Sequence, residues 1–473
     1  MMSHPTTPPR SSALRGLLAL AFPVISVQLG MMAMGVVDTI MVGHVSPTAL
    51  ASVAVGNLYY YVTSIFAVGA LMALDPVVAQ AVGARDDEAV ARGVQRGMVL
   101  AALLCLPTIL LLAPAPVVLR WLRQPGEVIP LAGAYAQICI PGVFGMFAFV
   151  VLRQSLQALA RVRPIVLTIL IANLMNVGLN YILIFGHLGF PPLGVQGAAW
   201  STTISRLAMG PILLAFAWAE LRPVVLPFRR AALERKPLLR MAAIGAPIGV
   251  AHQLEYGVFG LVGLLMGSLG TAMVAGHQIA LNLASVTFMV PLGLSSAAAV
   301  VVGHAVGRGD RPAARASARA ALGVAVAFMG TTAMIFLLFP GPLARVYSGD
   351  APVLTGALSL IPLAGVFQVF DGIQVTSIGI LRGLGDTRTP MVTAIAGYWL
   401  LGLPVSLWLG LHLGHGPTGL WWGLVLGLAI VAVFLIFRVH WKLRQPLIRL
   451  RVEGPASDEH VAVMAGEHPE GTA

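Results

Sequence analysis

Charge is the first thing this chain is short of. Asp, Glu, Lys and Arg supply 10% of its 473 residues, against 58% hydrophobic residues and a mean hydropathy of +0.88. Soluble domains carry about 25% charged residues, so a water-soluble fold is excluded. Cysteine is nearly absent: Cys105 and Cys139 both lie inside apolar runs, at a spacing that fits no metal motif and implies no structural disulfide. Short segments of alternating hydrophobicity are missing, which excludes a transmembrane β-barrel. No small-residue cleavage site closes a short apolar core near the N-terminus, so Leu17–Gly43 reads as a retained first span and not as a removed signal peptide.

What is present is a succession of apolar runs of 20 or more residues from Leu17 to Trp441. They predict an all-α polytopic membrane protein of twelve transmembrane helices. The spans fall at about 17–43, 49–82, 97–119, 130–157, 164–186, 194–219, 238–268, 271–305, 317–340, 353–381, 389–413 and 417–441. The net charge of +11 is orientation information and not a nucleic-acid footprint, because 25 of the 29 Lys and Arg fall on the side of the termini. Arg120, Arg123 and Arg345 fall on the opposite side, and Arg206 lies inside a span. The positive-inside rule then places both termini in the cytoplasm, across an inner (plasma) membrane. The polar, acidic stretch Glu453–Ala473 is expected to be disordered.

The chain also repeats itself. Pro23 and Pro247, Gly69 and Gly293, Val82-Gly83 and Val306-Gly307, and Asp86 and Asp310 all stand 224 positions apart. Pro164 and Pro390 stand 226 apart, and Gly197 and Gly419 stand 222 apart. The expected organisation is a cytoplasmic tail 1–16, an N-lobe 17–219, a basic cytoplasmic linker 220–237, a C-lobe 238–441 and a cytoplasmic tail 442–473. Six spans per half give the two lobes one orientation, related by a pseudo-two-fold axis along the membrane normal. Parallel repeats of this kind belong to transporters that rock between two open states.

Ionised carboxylates inside a bilayer cost several kcal/mol, so each marks a candidate site. Glu255 and Asp371 both lie about mid-span in the C-lobe, at matching depth. Gln278 and Asn282, four apart on one helix face, are added to that candidate site, with Gln253, His252, Tyr256, Gln368 and Gln374 as further candidates. Such a site can take H+, Na+ or an organic cation, one at the expense of another. In the N-lobe, Asp38 lies near the outer end of the first span, at the depth of Asn176, Asn180, Ser201, Thr202 and Thr203. Carboxylate, amide and hydroxyl oxygens suit a hard cation, so Na+ or a proton is expected here. The two acid sites are not copies: the 224-residue shift carries Glu255 onto Met31 and Asp38 onto Val262. Asp75, just before Pro76, is expected to cap or break a helix. His252 lacks the second His of a zinc helix, and Arg206 either pairs with an acid or snorkels.

Six stretches carry a family resemblance. They are Val37-Asp38-Thr39-Ile40-Met41-Val42-Gly43-His44, Asp75-Pro76-Val77-Val78-Ala79-Gln80, and Gly245-Ala-Pro247-Ile-Gly249 with Glu255. The others are Ala275-Gly-His277-Gln278-Ile279-Ala280-Leu-Asn282, Phe288-Met-Val-Pro291-Leu-Gly293 and Arg382-Gly383-Leu-Gly385-Asp386-Thr387-Arg388-Thr-Pro390. Together they resemble the multidrug and toxic compound extrusion (MATE) family, in its NorM-like branch, over Leu17 to Trp441. The resemblance implies a V-shaped pair of six-helix lobes that exports cationic, often aromatic compounds in exchange for Na+ or H+. It implies roles for Glu255 and Asp371 in coupling or substrate binding, and an N-lobe cation site at Asp38, Asn176 and Asn180. Some Na+-coupled relatives carry a Tyr one turn before the tenth-span Asp, where this chain has Phe367.

The expected function is therefore secondary multidrug efflux by alternating access, with no enzyme activity, no catalytic residues and no cofactor beyond the coupling ion. Organic cations, Na+ or H+ and the lipid bilayer are the expected partners, nucleic acid is not, and a monomer is expected. Tyr59, Tyr60, Met31 and Met34 are candidates to line the cavity. A flippase for a lipid-linked or endogenous metabolite would favour several mid-span arginines for phosphate, and only Arg206 is offered. A membrane-embedded enzyme would require His/Asp or Ser/His clusters near an interface, and no convincing one is found.

Overall fold

A computed structural model describes residues 12–453. Every regular element among them is helical. In lipid each backbone N–H and C=O must find a partner within the chain, which is why long apolar runs close into helices. The N-lobe is built from α1 (Ser12–Gly43), α2 (Pro47–Leu71), α3 (Leu74–Gly83), α4 (Asp87–Leu112), α5 (Ala115–Trp121), α6 (Ile129–Ile138), α7 (Ile140–Ala158), α8 (Arg163–Phe185) and α9 (Val195–Phe216). A connecting helix, α10 (Trp218–Val225), leaves α9 at 97°. The C-lobe follows as α11 (Arg235–Ser268), α12 (Thr271–Gly307), α13 (Arg311–Leu338), α14 (Pro340–Arg345), α15 (Ala351–Gly383), α16 (Arg388–Ala394), α17 (Leu403–Leu407) and α18 (Gly416–Arg444). Eleven helical segments among the described residues are long and apolar enough to cross a membrane, or twelve with the bent α9–α10 pair.

The repeat is visible in the caps. Asp86 accepts the Ala89 amide at 3.0 Å at the head of α4, and Asp310 accepts the Ala313 amide at 2.9 Å at the head of α13. Each satisfies one of the backbone donors that a helix start leaves open. The copies differ where α12 runs unbroken over Thr271–Gly307 while its counterpart divides into α2 and α3 around Met72 and Ala73. The stretch read as the basic cytoplasmic linker, 220–237, is partly helical. It holds the end of α10, a short 3-10 turn at Arg230–Leu233 and the start of α11. Gln95 of α4 ties it down, donating to the carbonyls of Val224 and Pro227 and accepting the Arg229 amide at 2.8 Å.

Leucines at one side of α4, namely Leu103, Leu106 and Leu110, are exposed and present the apolar face that lipid requires. Between the lobes, glycines let backbones meet. A Cβ added at Gly69 of α2 would stand 2.7 Å from Gly249 Cα, and one at Gly293 of α12 would stand 2.8 Å from Ile25 Cα. Small residues are the usual means of close helix approach in membranes. All these contacts lie in the half of each helix nearer the termini. Three turns further out on the same faces, Val36 of α1 and Asn282 of α12 are exposed. The lobes therefore form a V whose vertex is on the terminus side and whose cleft opens on the opposite side.

The C-terminal segment after α18 crosses the vertex. Arg449 pairs with Asp86 at 2.8 Å, the Leu450 amide donates to Gln80 Oε1 at 2.7 Å, and Gln80 Nε2 donates to the Gly383 carbonyl at 2.9 Å. Glu453, the first residue of the stretch expected to be disordered, is held between Arg92 and Arg96. The rest of that stretch, 454–473, lies outside the described residues.

Candidate functional site

The N-lobe cluster forms where α1, α8 and α9 meet. Asn180 Nδ2 donates to Asp38 Oδ1 at 2.6 Å, and Thr202 Oγ1 donates to Asp38 Oδ2 at 2.8 Å. Asn180 Nδ2 also reaches Asn176 Oδ1 at 3.2 Å, and Asn176 Nδ2 reaches Ser201 Oγ at 3.3 Å. Asp38, Asn176, Asn180, Ser201 and Thr202 are all buried. The i,i+4 spacing of Asn176 and Asn180 puts both amides on the face of α8 that meets α1 and α9. One oxygen, Asn180 Oδ1, is buried with no hydrogen-bond partner. Buried polar atoms are nearly always paired, so this one marks a place for a cation or a donor. Thr203 does not join the cluster. It donates to the Ile138 carbonyl at 3.0 Å, because the next residue along a helix points about 100° away.

The C-lobe site is looser. Glu255 of α11 accepts Tyr398 OH at 3.4 Å and Gln374 Nε2 at 3.5 Å. Asp371 of α15 is buried and makes no hydrogen bond among the described residues. Gln368, one turn before Asp371, accepts Thr287 Oγ1 at 2.7 Å and Thr332 Oγ1 at 3.1 Å, which holds α12, α13 and α15 together at this depth. Gln278 and Asn282 are exposed and form no hydrogen bond with either carboxylate among the described residues. Asn282 shares the face of α12 that carries Gly293 three turns on, which turns it to the cleft. Phe367 stacks edge-on against Phe259 at 5.8 Å and Trp421 at 5.9 Å, so it belongs to the apolar packing of the lobe.

Sequence reasoning passed over Tyr398. The only signal was a lone Tyr in an apolar run, and its hydroxyl reaches Glu255 because Ile395–Gly402 is wound as a π-helix. Such wide turns inside helices gather at functional positions. Tyr60, one of the candidates to line the cavity, is fully buried inside the N-lobe.

A third polar site occupies the seam at the vertex. Asp75 lies in the first turn of α3, at the helix break expected there, and makes no cap hydrogen bond; it stands 3.4 Å from Arg382 of α15, both buried, so this carboxylate bridges the lobes. Arg153 of α7 acts electrostatically on the same carboxylate and donates to Gln28 at 3.2 Å. Both arginines count among the 25 basic residues on the side of the termini, and both side chains are buried. Nearby, His304 Nε2 of α12 lies 2.7 Å from the Ala158 carbonyl of α7.

Known proteins share this architecture. The chain is similar to the multidrug resistance protein MdtK of Edwardsiella ictaluri, 37% identical over 91% of this chain and 96% of that one. It is equally similar, at 37% identity, to the multidrug resistance protein NorM of Burkholderia vietnamiensis, over 89% and 93% of the two chains. Among solved structures, a eukaryotic MATE transporter, AtDTX14, superposes with a TM-score of 0.85 at 24% identity, over 94% of this chain and all of that one. The MatE family model matches residues 23–182 and again 247–408, two copies whose starts repeat the 224-residue shift. The chain belongs to the MatE family.

Proposed function

We propose that the protein is a secondary multidrug efflux transporter of the inner membrane, with both termini cytoplasmic. It exports hydrophobic organic cations in exchange for H+ or Na+ by alternating access. The observation that carries this reading is the pairing of a buried polar cluster around Asp38 in one lobe and the Glu255 and Asp371 pair in the other with a cleft closed on the terminus side and open on the opposite side. The multidrug resistance names of the MdtK and NorM relatives support the substrate class.

Exchange requires that the coupling cation and the substrate prefer different arrangements of the lobes. In this reading a cation entering from outside is taken up by Asp38 with Asn180 and Thr202, or by the Glu255 and Asp371 pair. Its uptake lowers the affinity of the lobe for a cationic substrate, which leaves through the open cleft. Release of the ion toward the cytoplasm then follows separation of the vertex, where Asp75 and Arg382 must part.

Everted membrane vesicles loaded with ethidium test the proposal. An imposed H+ or Na+ gradient is expected to drive dye movement, and Asp38→Asn, Glu255→Gln and Asp371→Asn are each expected to reduce it. Intact gradient-driven movement in all three variants would refute ion coupling through these sites.

A further inference from the structure

The segment that follows α18 belongs to the C-lobe by its root and to the N-lobe by its contacts. Arg315 Nε of α13 donates to the Leu443 carbonyl at 3.0 Å, which fixes the end of α18 within the C-lobe. Pro446 disfavours helical backbone at the residue before it, so Gln445 is extended and α18 stops at Arg444. Residues 445–453 then meet the N-lobe at three places. Arg449 Nη2 donates to Asp86 Oδ2 at 2.8 Å, the Leu450 amide donates to Gln80 Oε1 at 2.7 Å, and Glu453 pairs with Arg92 at 2.5 Å and Arg96 at 2.6 Å. On the C-lobe side, Arg240 Nη1 of α11 donates to the Val452 carbonyl at 3.2 Å. Leu450 packs on Gly385, where an added Cβ would stand 3.0 Å from its side chain. Asp310, the copy of Asp86, caps α13 in the same way and forms no ion pair among the described residues. The contact to Arg449 is therefore an addition to one lobe and not part of the repeat. Glu453 also sits where bases of both lobes converge. A cavity of about 330 Å³ beside it is lined by Arg92 and Arg96 of α4 and by Lys236 and Arg240 of α11, with Glu234 as the other acid of the lining.

We propose that residues 445–453 are a cytoplasmic latch, rooted in the C-lobe, which holds the vertex closed by bonding the N-lobe through Arg449 and Glu453. This rests on the reading of the lobes as an alternating-access pair. Parting of the vertex carries Gln80, Asp86, Arg92 and Arg96 away from Gly385 and Arg240, so the segment must let go of one lobe in every cycle. Glu453 adds a negative charge where the cations of α4 and α11 would otherwise repel one another across the seam. Arg449, Asp86 and Glu453 are part-exposed, so each pair is modest alone and is weakened by salt. Together they are expected to lower the population of the parted form on the order of tenfold.

Alkylation at the seam of the full-length protein, purified in detergent, tests the latch. Ala79 is fully buried against Gly303, so Ala79→Cys in a chain with Cys105 and Cys139 replaced by Ala reacts with a maleimide when the lobes part. Arg449→Gln together with Glu453→Gln is expected to speed that reaction about tenfold at low salt. Raising KCl is expected to bring the parent toward the same rate and to change the double variant less. Cys139, buried inside the N-lobe, serves as the control in a chain with Cys105 alone replaced, and its rate is expected to stay unchanged. A double variant within twofold of its parent overturns the proposal, as does an equal acceleration at Cys139, which would mean a loosened fold. A parent rate that salt does not move overturns it too, and that arm stands even if the double variant does not fold. Failure of the efflux reading would appear separately, as dye that no gradient moves, because the labelling needs no substrate.

Discussion

Asp75→Asn is expected to loosen the vertex of the V. Asp75 is the acid that faces Arg382 across the seam, and it also faces Arg153 from its own lobe. Removing one partner of a buried pair leaves the other charge uncompensated, at about 3–5 kcal/mol. The separation of 3.4 Å, with Asp75 Oδ2 and Arg382 Nε lacking hydrogen bonds, puts this pair at the low end, about 3 kcal/mol. Two arginines then face each other without an acid between them. At about 1.4 kcal/mol per tenfold, the population with a separated vertex should rise roughly a hundredfold. Ala79 of α3 faces Gly303 of α12 across the seam and is fully buried, so a cysteine there reports separation. With Cys105 and Cys139 replaced by Ala, alkylation of Ala79→Cys by a membrane-permeant maleimide should accelerate by that factor when Asp75→Asn is added. Adding Arg382→Met should return much of the protection, since the uncompensated charge across the seam is gone. A labelling rate unchanged within twofold in Asp75→Asn would show that the pair does not hold the lobes together.

Other expectations follow from neighbouring geometry. Thr202→Ala removes a 2.8 Å bond to Asp38 and should lower gradient-driven dye efflux about tenfold, whereas Thr203→Ala, bonded to the Ile138 carbonyl, should leave it within about twofold. Tyr398→Phe should lower efflux severalfold, while Phe367→Tyr should cost about 1–2 kcal/mol of thermal stability by burying a hydroxyl beside Phe259 and Trp421. The tail contact to Asp86 carries a pH signature. Partial burial works to raise the Asp86 carboxyl, but the Ala89 amide and the Arg449 guanidinium outweigh it and hold it below the usual carboxylate range. Its folded-state pKa is thus depressed, so its contribution is fully present above the unfolded carboxylate value and is lost as pH falls through the lower folded one. Arg449→Gln should shrink that acid-side loss, read as the difference in melting temperature between pH 6 and pH 3.

Periodic features were legible in the sequence, and features set by helix rotation were not. Span positions follow from uninterrupted apolar length, and the duplication follows from residues 224 apart, because both are properties of the chain order. The Asp38, Asn176, Asn180 and Thr202 grouping was legible too, since depth in a membrane is a count of residues at a fixed rise. Depth alone does not say where a side chain points. Thr203 has the same depth as Thr202 and faces α6, and Asn282 forms no hydrogen bond with the acid pair among the described residues. Tyr398 reaches Glu255 through a local π-helix that no spacing rule announces.

The sequence by itself determined that this chain lies in a membrane, that it is two copies of one six-span unit, and that Asp38 and Asp371 are acids buried in it. Those follow from one-dimensional quantities: apolar length, repeat distance and the cost of a charge in hydrocarbon. Tertiary structure alone decided which charges meet. It joined Asp75 to Arg382 across the lobes and set the Arg206 guanidinium over the Tyr60 ring. Electrostatic pairing depends on distances of a few ångströms between helices far apart in sequence, and those distances exist only after the helices have packed.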